Sequence, residues 1–130
     1  MKRFFIEGTD QSPKVILDKK RGIFELSGNA LPEDVNEFYK PIFDWFDEYI
    51  QDPNPKTKVK FNFFYFNSSS SKMIFEILKK LQFLYEQDKE VEVVWYYSEE
   101  DEEMDLSGHE FSEHFKYPFR IISVSWSQGL

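Results

Sequence analysis

Tyr65-Phe66-Asn67-Ser68-Ser69-Ser70-Ser71-Lys72-Met73 joins two different periodicities. Before it, Val59, Phe61, Phe63 and Tyr65 alternate with Lys58, Lys60, Asn62, Phe64 and Phe66, the two-residue repeat of a strand. The first half of that strand has one wet face. Its second half is apolar on both faces, which predicts a central strand covered on both sides. After the junction, Met73, Ile74, Ile77, Leu78, Leu81, Leu84 and Tyr85 recur at three and four, and Glu76, Lys79, Lys80 and Glu86 mark the opposite side. This spacing predicts a helix from Ser69 or Ser70 to about Gln87, with Phe75 and Phe83 off the main stripe. The junction is therefore a βα turn carrying a row of hydroxyls.

The same pattern extends in both directions. Val91-Glu92-Val93-Val94-Trp95-Tyr96-Tyr97 reads as an interior strand, followed by an acidic run, a helix from about Met104 to Phe115, and a last strand from Phe119 to Val124. Upstream, Phe4-Phe5-Ile6 reads as a short strand or arm. Val15-Ile16-Leu17 and Ile23-Phe24-Glu25-Leu26 read as a hairpin closed by Asp18 to Gly22, with Gly28-Asn29 ending the second strand. Pro32 to Gln51 carries a helical stripe of Val35, Phe38, Tyr39, Ile42, Phe43, Phe46, Tyr49 and Ile50. Pro41 within it removes a donor and crowds the preceding turn, which predicts a kink or break near Tyr39 and Lys40. The expected architecture is α/β: a mixed sheet of five or six strands, about three helices, and a βαβ core with largely parallel pairing. The N-terminal hairpin lies at or near one edge. One domain spans 1–130, with a loose tail from about residue 125 that includes Trp126.

The composition narrows the functional classes. The chain has 130 residues, 41% hydrophobic, with fifteen Phe, seven Tyr and three Trp, enough for a well-filled core. A net charge of −8 argues against nucleic acid or an anionic membrane surface as partner, because phosphate backbones are bound through Lys and Arg clusters. The absence of cysteine excludes disulfides, thiolate catalysis and Cys-based metal sites. No window reads as a signal peptide or a membrane span, so the expected location is the cytoplasm.

Three constellations remain. The acidic run Glu99-Glu100-Asp101-Glu102-Glu103, with Asp105 beyond, reads as a solvated loop entering a helix whose first turn favours negative charge. Contact with a basic partner or weak binding of a divalent cation are the other readings, and the spacing matches no EF-hand loop. His109 and His114 lie five apart, which on a helix sets them about 140° from one another, so they cannot grip one metal. No nucleophile–base set, glycine-rich phosphate loop or G-x-S-x-G is present, so neither a catalytic residue nor a cofactor is expected. The serine row itself has two readings. Asn67 or one serine can cap the helix, worth about 1 kcal/mol. Four consecutive serines exceed what a cap needs, and the free N–H groups and partial positive charge of a helix start suit a phosphate. Phosphorylation there adds about −1.5 to −2 charges.

Several segments together resemble the SiaC-like family of bacterial regulatory phosphoproteins. They are Phe38-Tyr39-Lys40-Pro41 with Trp45, Tyr65 to Met73, Val94-Trp95-Tyr96-Tyr97 followed by acids, and Pro118-Phe119. The likeness spans about Gly8 to Ile122. It implies a fold similar to STAS domains and anti-sigma-factor antagonists, which act by partner switching. A kinase modifies one hydroxyl at the helix start and a PP2C-type phosphatase reverses it. The unmodified form is implied to bind and activate a diguanylate cyclase, bearing on cyclic-di-GMP and biofilm control. The matching hydroxyl is that of Ser68, where the family pattern often has threonine; Ser69, Ser70 and Ser71 are the neighbouring alternatives. Asn67, Ser69, Lys72 and Phe75 are the expected partner contacts. A small-ligand-binding domain with an aromatic pocket is the competing function.

Overall fold

The computed structural model describes residues 1–125, and the expected loose tail beyond Ser125, Trp126 included, lies outside them. The elements follow the order read from the sequence: β1 (Phe4–Ile6), β2 (Lys14–Asp18), β3 (Ile23–Ala30), α1 (Val35–Tyr49), β4 (Lys56–Phe66), α2 (Ser68–Glu86), β5 (Glu90–Ser98), α3 (Glu102–Ser112) and β6 (Phe119–Val124). They build a six-stranded mixed sheet in the order β1-β2-β3-β4-β5-β6. The first three strands pair antiparallel, and β3 to β6 pair parallel through the three helices.

Sequential parallel strands with right-handed crossovers place every helix on the same side of the sheet. Val15, Leu17, Phe24, Leu26, Val59, Phe61, Val93 and Trp95 face the helices and are buried. Tyr39, Ile42, Phe46 and Tyr49 of α1 and Ile74, Ile77, Leu78 and Leu81 of α2 close the core from above, all with no exposed surface. The other side of the sheet carries no helix among the described residues, and only Val94 in its centre is buried there. It carries a ladder of charges in which Glu92 lies 3.7 Å from Lys58 and 3.9 Å from Arg120. This corrects the expectation of a central strand covered on both sides. Phe64 and Tyr65 are 43% and 54% exposed.

A bulge explains why. Gly28 pairs with Phe63 and Asn29 with Tyr65, so Phe64 is an extra residue on β4 opposite the Gly28–Asn29 step. Gly28 takes φ +98, a conformation that costs glycine little. One inserted residue reverses the inside–outside alternation. Phe66, rather than Tyr65, then turns toward the core and packs on Phe63, Trp95 and Phe111. Gly28-Asn29 therefore lies within β3, opposite the bulge, and does not end the strand, which runs on to Ala30.

The helices also differ at their ends from the sequence expectation. α1 starts at Val35, where Asp34 accepts from Glu37 N–H at 3.0 Å, so Pro32 precedes the helix. It runs unbroken through Pro41 to Tyr49, with Trp45 and Tyr49 holding it to the sheet through ring contacts on Phe24 and a 2.7 Å hydroxyl pair between Tyr49 and Thr57. On α2, Tyr85 stands at the exposed margin of the stripe, not in the core. α3 begins two residues earlier than expected, because Asp101 caps it by accepting from Met104 N–H at 3.0 Å.

Candidate functional site at the start of α2

The junction between β4 and α2 is held at three points by Asn67. Its backbone N–H donates to Ala30 O at the end of β3, its carbonyl accepts from Ser71 N–H, and its side-chain Oδ1 accepts from Ser70 N–H at 2.8 Å. Asn67 is the helix cap and is half-buried, so its side chain is used within the turn. Among the described residues, no group accepts from Ser68 or Ser69 N–H, the donors that a helix start leaves unpaired.

The four serines are not equivalent. Ser68 and Ser69 are exposed, Ser71 is half-buried, and Ser70 is fully buried. The Tyr39 hydroxyl donates to Ser70 Oγ at 3.1 Å. Burial raises the Tyr39 hydroxyl to about 12, with the Ser70 bond a smaller opposing influence. The helical repeat was sufficient to place Ser70 inside, since it precedes Ile74 by four and Ile77 by seven. Reading the serines as a uniform row obscured that. Lys72 is exposed, one turn beyond Ser68.

Phe75 is half-buried against Phe115 and His114, with ring centroids 5.3 Å away in each case, and Lys79 Nζ lies 5.8 Å from its ring centroid. It lines a groove between α2 and α3 together with Phe66, Ser71, Ser107 and His114. Phe83, the other residue off the stripe, is 48% exposed on α2 well away from the junction. Many of the aromatic rings pack on one another in the core. Trp95 meets Phe61, Phe63, Phe66 and Phe111 at 5.4–6.1 Å, and its indole N–H donates to Met104 O at 3.0 Å. The acidic run leads into α3 as expected, with Glu102, Glu103 and Asp105 in its first turn. His109 Nδ1 sits 3.1 Å from Asp105 Oδ1, while His114 faces Phe75. No helix among the described residues is long and apolar enough to cross a membrane.

A six-stranded mixed sheet covered on one side by three helices, with exposed serines at the start of the central helix, makes this a small α/β protein. The chain belongs to the SiaC family of regulatory phosphoproteins, whose family model matches residues 6–124. It is similar to a protein of Pseudomonas aeruginosa (strain UCBPP-PA14), 26% identical over 121 residues, covering 93% of this chain and 96% of that one. Its structure is similar to SiaC of Pseudomonas aeruginosa, with a TM-score of 0.87 and 26% identity over 95% of this chain and 100% of the other. It also matches a chain in the crystal structure of the Pseudomonas aeruginosa diguanylate cyclase SiaD in complex with its activator SiaC. There the TM-score is 0.89 and the identity 26%, over 93% of this chain and 99% of that one.

Proposed function

We propose that this chain is a non-enzymatic switch protein. In its unmodified form it binds and activates a diguanylate cyclase, and phosphorylation of Ser68 ends that binding. A cognate kinase adds the phosphate and a PP2C-type phosphatase removes it. The output is the cyclic-di-GMP level, and through it biofilm formation, in the cytoplasm. The observation that carries this reading is the contrast within the turn. Ser68 is exposed where two enzymes can reach it, beside free helix N–H groups, whereas Ser70 is buried. The family assignment and the complex in which SiaC is the activator of SiaD support the same reading.

The energetics favour a change in binding over a change in fold. At an exposed helix start a phosphate gains about 0.3–1 kcal/mol from the dipole. Burying its charge in an interface without a cationic partner costs several kcal/mol. Since each 1.4 kcal/mol is tenfold, that is enough to abolish micromolar binding. The test labels the protein with its kinase, maps the site by mass spectrometry, and measures cyclase affinity and activity for both forms. Ser68→Ala stays permanently competent, and Ser68→Asp binds much less. Label confined to Ser69 or Ser71, or equal affinity of the two forms, rejects the mechanism. Turnover of a phosphoester by the purified protein alone rejects the non-enzymatic part.

A further inference from the structure

The charge of this protein is concentrated in one segment. Of its 24 carboxylates, eight lie between Glu99 and Glu113, where there is no Lys or Arg. The remaining sixteen equal the sixteen Lys and Arg of the whole chain, so the net charge of −8 resides in α3 and the turn before it. Some of these acids serve the fold: Asp101 caps α3, and Asp105 pairs with His109. Glu102, Glu103, Glu110 and Glu113 do neither and are exposed.

Leu106 stands in the middle of that acidic face. It is 59% exposed, the most of any large apolar side chain among the described residues. Glu102 and Glu103 lie one turn before it and Glu110 one turn after, so an apolar side chain is ringed by carboxylates. Beside it runs the groove between α2 and α3, about 160 Å³, with Phe66, Phe75 and Phe111 as its walls and Ser71, Ser107 and Glu110 along its rim. Ser71 is three residues from Ser68, about 4.5 Å along the helix axis. The rim of the groove at Ser71 thus lies about one helical turn from Ser68.

We infer that the α2–α3 groove and Leu106 form the surface on which the effector docks, and that the effector presents an apolar side chain flanked by Lys or Arg toward α3. This rests on the effector reading above and goes beyond it by naming the surface and the chemistry of the partner. Charge complementarity selects the occupant. A second copy of this chain would set acidic α3 against acidic α3, and an anionic membrane would be repelled. An apolar centre with a charged rim gives a contact whose core excludes water while its rim sets encounter rate and salt dependence. The partner's Lys or Arg side chains face the carboxylates of α3, not the start of α2, so a phosphate on Ser68 meets no cation there and its burial carries the desolvation cost given above.

The experiment measures binding of the host's own cyclase to the full chain by calorimetry. Glu110→Lys/Glu113→Lys reverses charge near the C-terminal end of α3, where cations suit the dipole, so the fold is retained. Glu48→Lys/Glu86→Lys makes the same change in charge on α1 and α2 as a control. Expected are a loss of about tenfold or more for the α3 pair and for Leu106→Ser, none for the control, and binding that weakens about tenfold from 50 to 500 mM NaCl. Circular dichroism melting verifies that each variant is folded. If Ser68→Asp blocks the cyclase while the α3 pair and Leu106→Ser bind as wild type, the surface is wrong and the switch stands. If wild type binds no cyclase, the effector reading falls and this proposal with it.

Discussion

The Tyr39 hydroxyl donates to Ser70 Oγ across 3.1 Å, joining two side chains with no exposed surface that lie 31 residues apart in the chain. The bond ties the second turn of α1 to the first turn of α2. The turn that presents Ser68 is therefore anchored from beneath, and a change at Ser70 is a change to the core.

Removing either partner has a cost that differs in kind. Tyr39→Phe deletes the donor and is expected to destabilise by about 0.5–1.5 kcal/mol, the net worth of one hydrogen bond. Ser70→Ala leaves a buried phenol without its acceptor, at about 1–3 kcal/mol. The double variant is expected to be less unstable than the sum of the two, with a coupling of about 1 kcal/mol in a urea-denaturation cycle. Strict additivity would show that the two hydroxyls do not interact in solution.

Alkali acts on the same pair. An unfolded tyrosine ionises near 10, whereas Tyr39 in the fold is raised by burial to about 12, and burial raises Tyr117 as well. Above pH 10 the unfolded chain loses these protons first, so it binds fewer protons than the folded chain and stability falls as pH rises. Between pH 10 and 12 the Tyr39 contribution is on the order of 3 kcal/mol at most. Stability measured from pH 9 to 12 should drop steeply, and Tyr39→Phe should flatten the slope. An unchanged slope in Tyr39→Phe would show that the phenol titrates normally.

The α2 stripe supports a simpler expectation. Leu81 has no exposed surface, and its neighbours Ile77, Leu78 and Leu84 are equally enclosed. Leu81→Ala is expected to cost about 2–5 kcal/mol by deleting buried methyl groups and leaving a cavity. A loss below about 1 kcal/mol in chemical denaturation would contradict the packing.

Gly108 is a helix residue for which alanine should be better by about 1 kcal/mol on propensity alone. The reverse is expected. A Cβ there would lie 2.5 Å from Trp95 Cδ1 and 2.8 Å from its Nε1. The indole cannot yield freely, because it is packed among Phe61, Phe66 and Phe111 and donates to Met104 O. Gly108→Ala should destabilise by about 1–3 kcal/mol and alter the Trp95 near-ultraviolet signal. A variant as stable as wild type would show that α3 can shift away from β5.

How much of this was legible follows the reach of each signal. Local periodicity gave the order of strands and helices, because the alternation of Val59 to Phe63 and the spacing of Ile74 to Leu81 are set by the chain itself. The bulge at Phe64 was not legible, since it depends on the register between β3 and β4. Its consequence, the outward turn of Tyr65, was lost with it. The break expected at Pro41 does not occur because a missing donor costs one hydrogen bond, while α1 is held to the sheet by Tyr39, Ile42, Phe46 and Tyr49. At the site, the asparagine–serine junction was evident from composition. The division of the serines into outward and inward hydroxyls needed the partner on α1.

That division yields the sharpest contrast between neighbouring positions. Ser68→Asp places a carboxylate on an exposed first-turn residue beside unpaired N–H groups, where the dipole favours it by about 0.3–1 kcal/mol. Its stability should equal or slightly exceed that of wild type. Ser70→Asp puts the same group two residues on, against the Tyr39 hydroxyl and inside the core, where a charge must be desolvated or the carboxyl protonated. A loss of about 3 kcal/mol or more is expected at pH 7, partly recovered at lower pH as the carboxyl takes up its proton. Urea titrations of the two variants at pH 5 and 7 measure this directly. Equal losses at both positions would overturn the separation of an accessible Ser68 from a structural Ser70, and with it the choice of Ser68 as the modified residue.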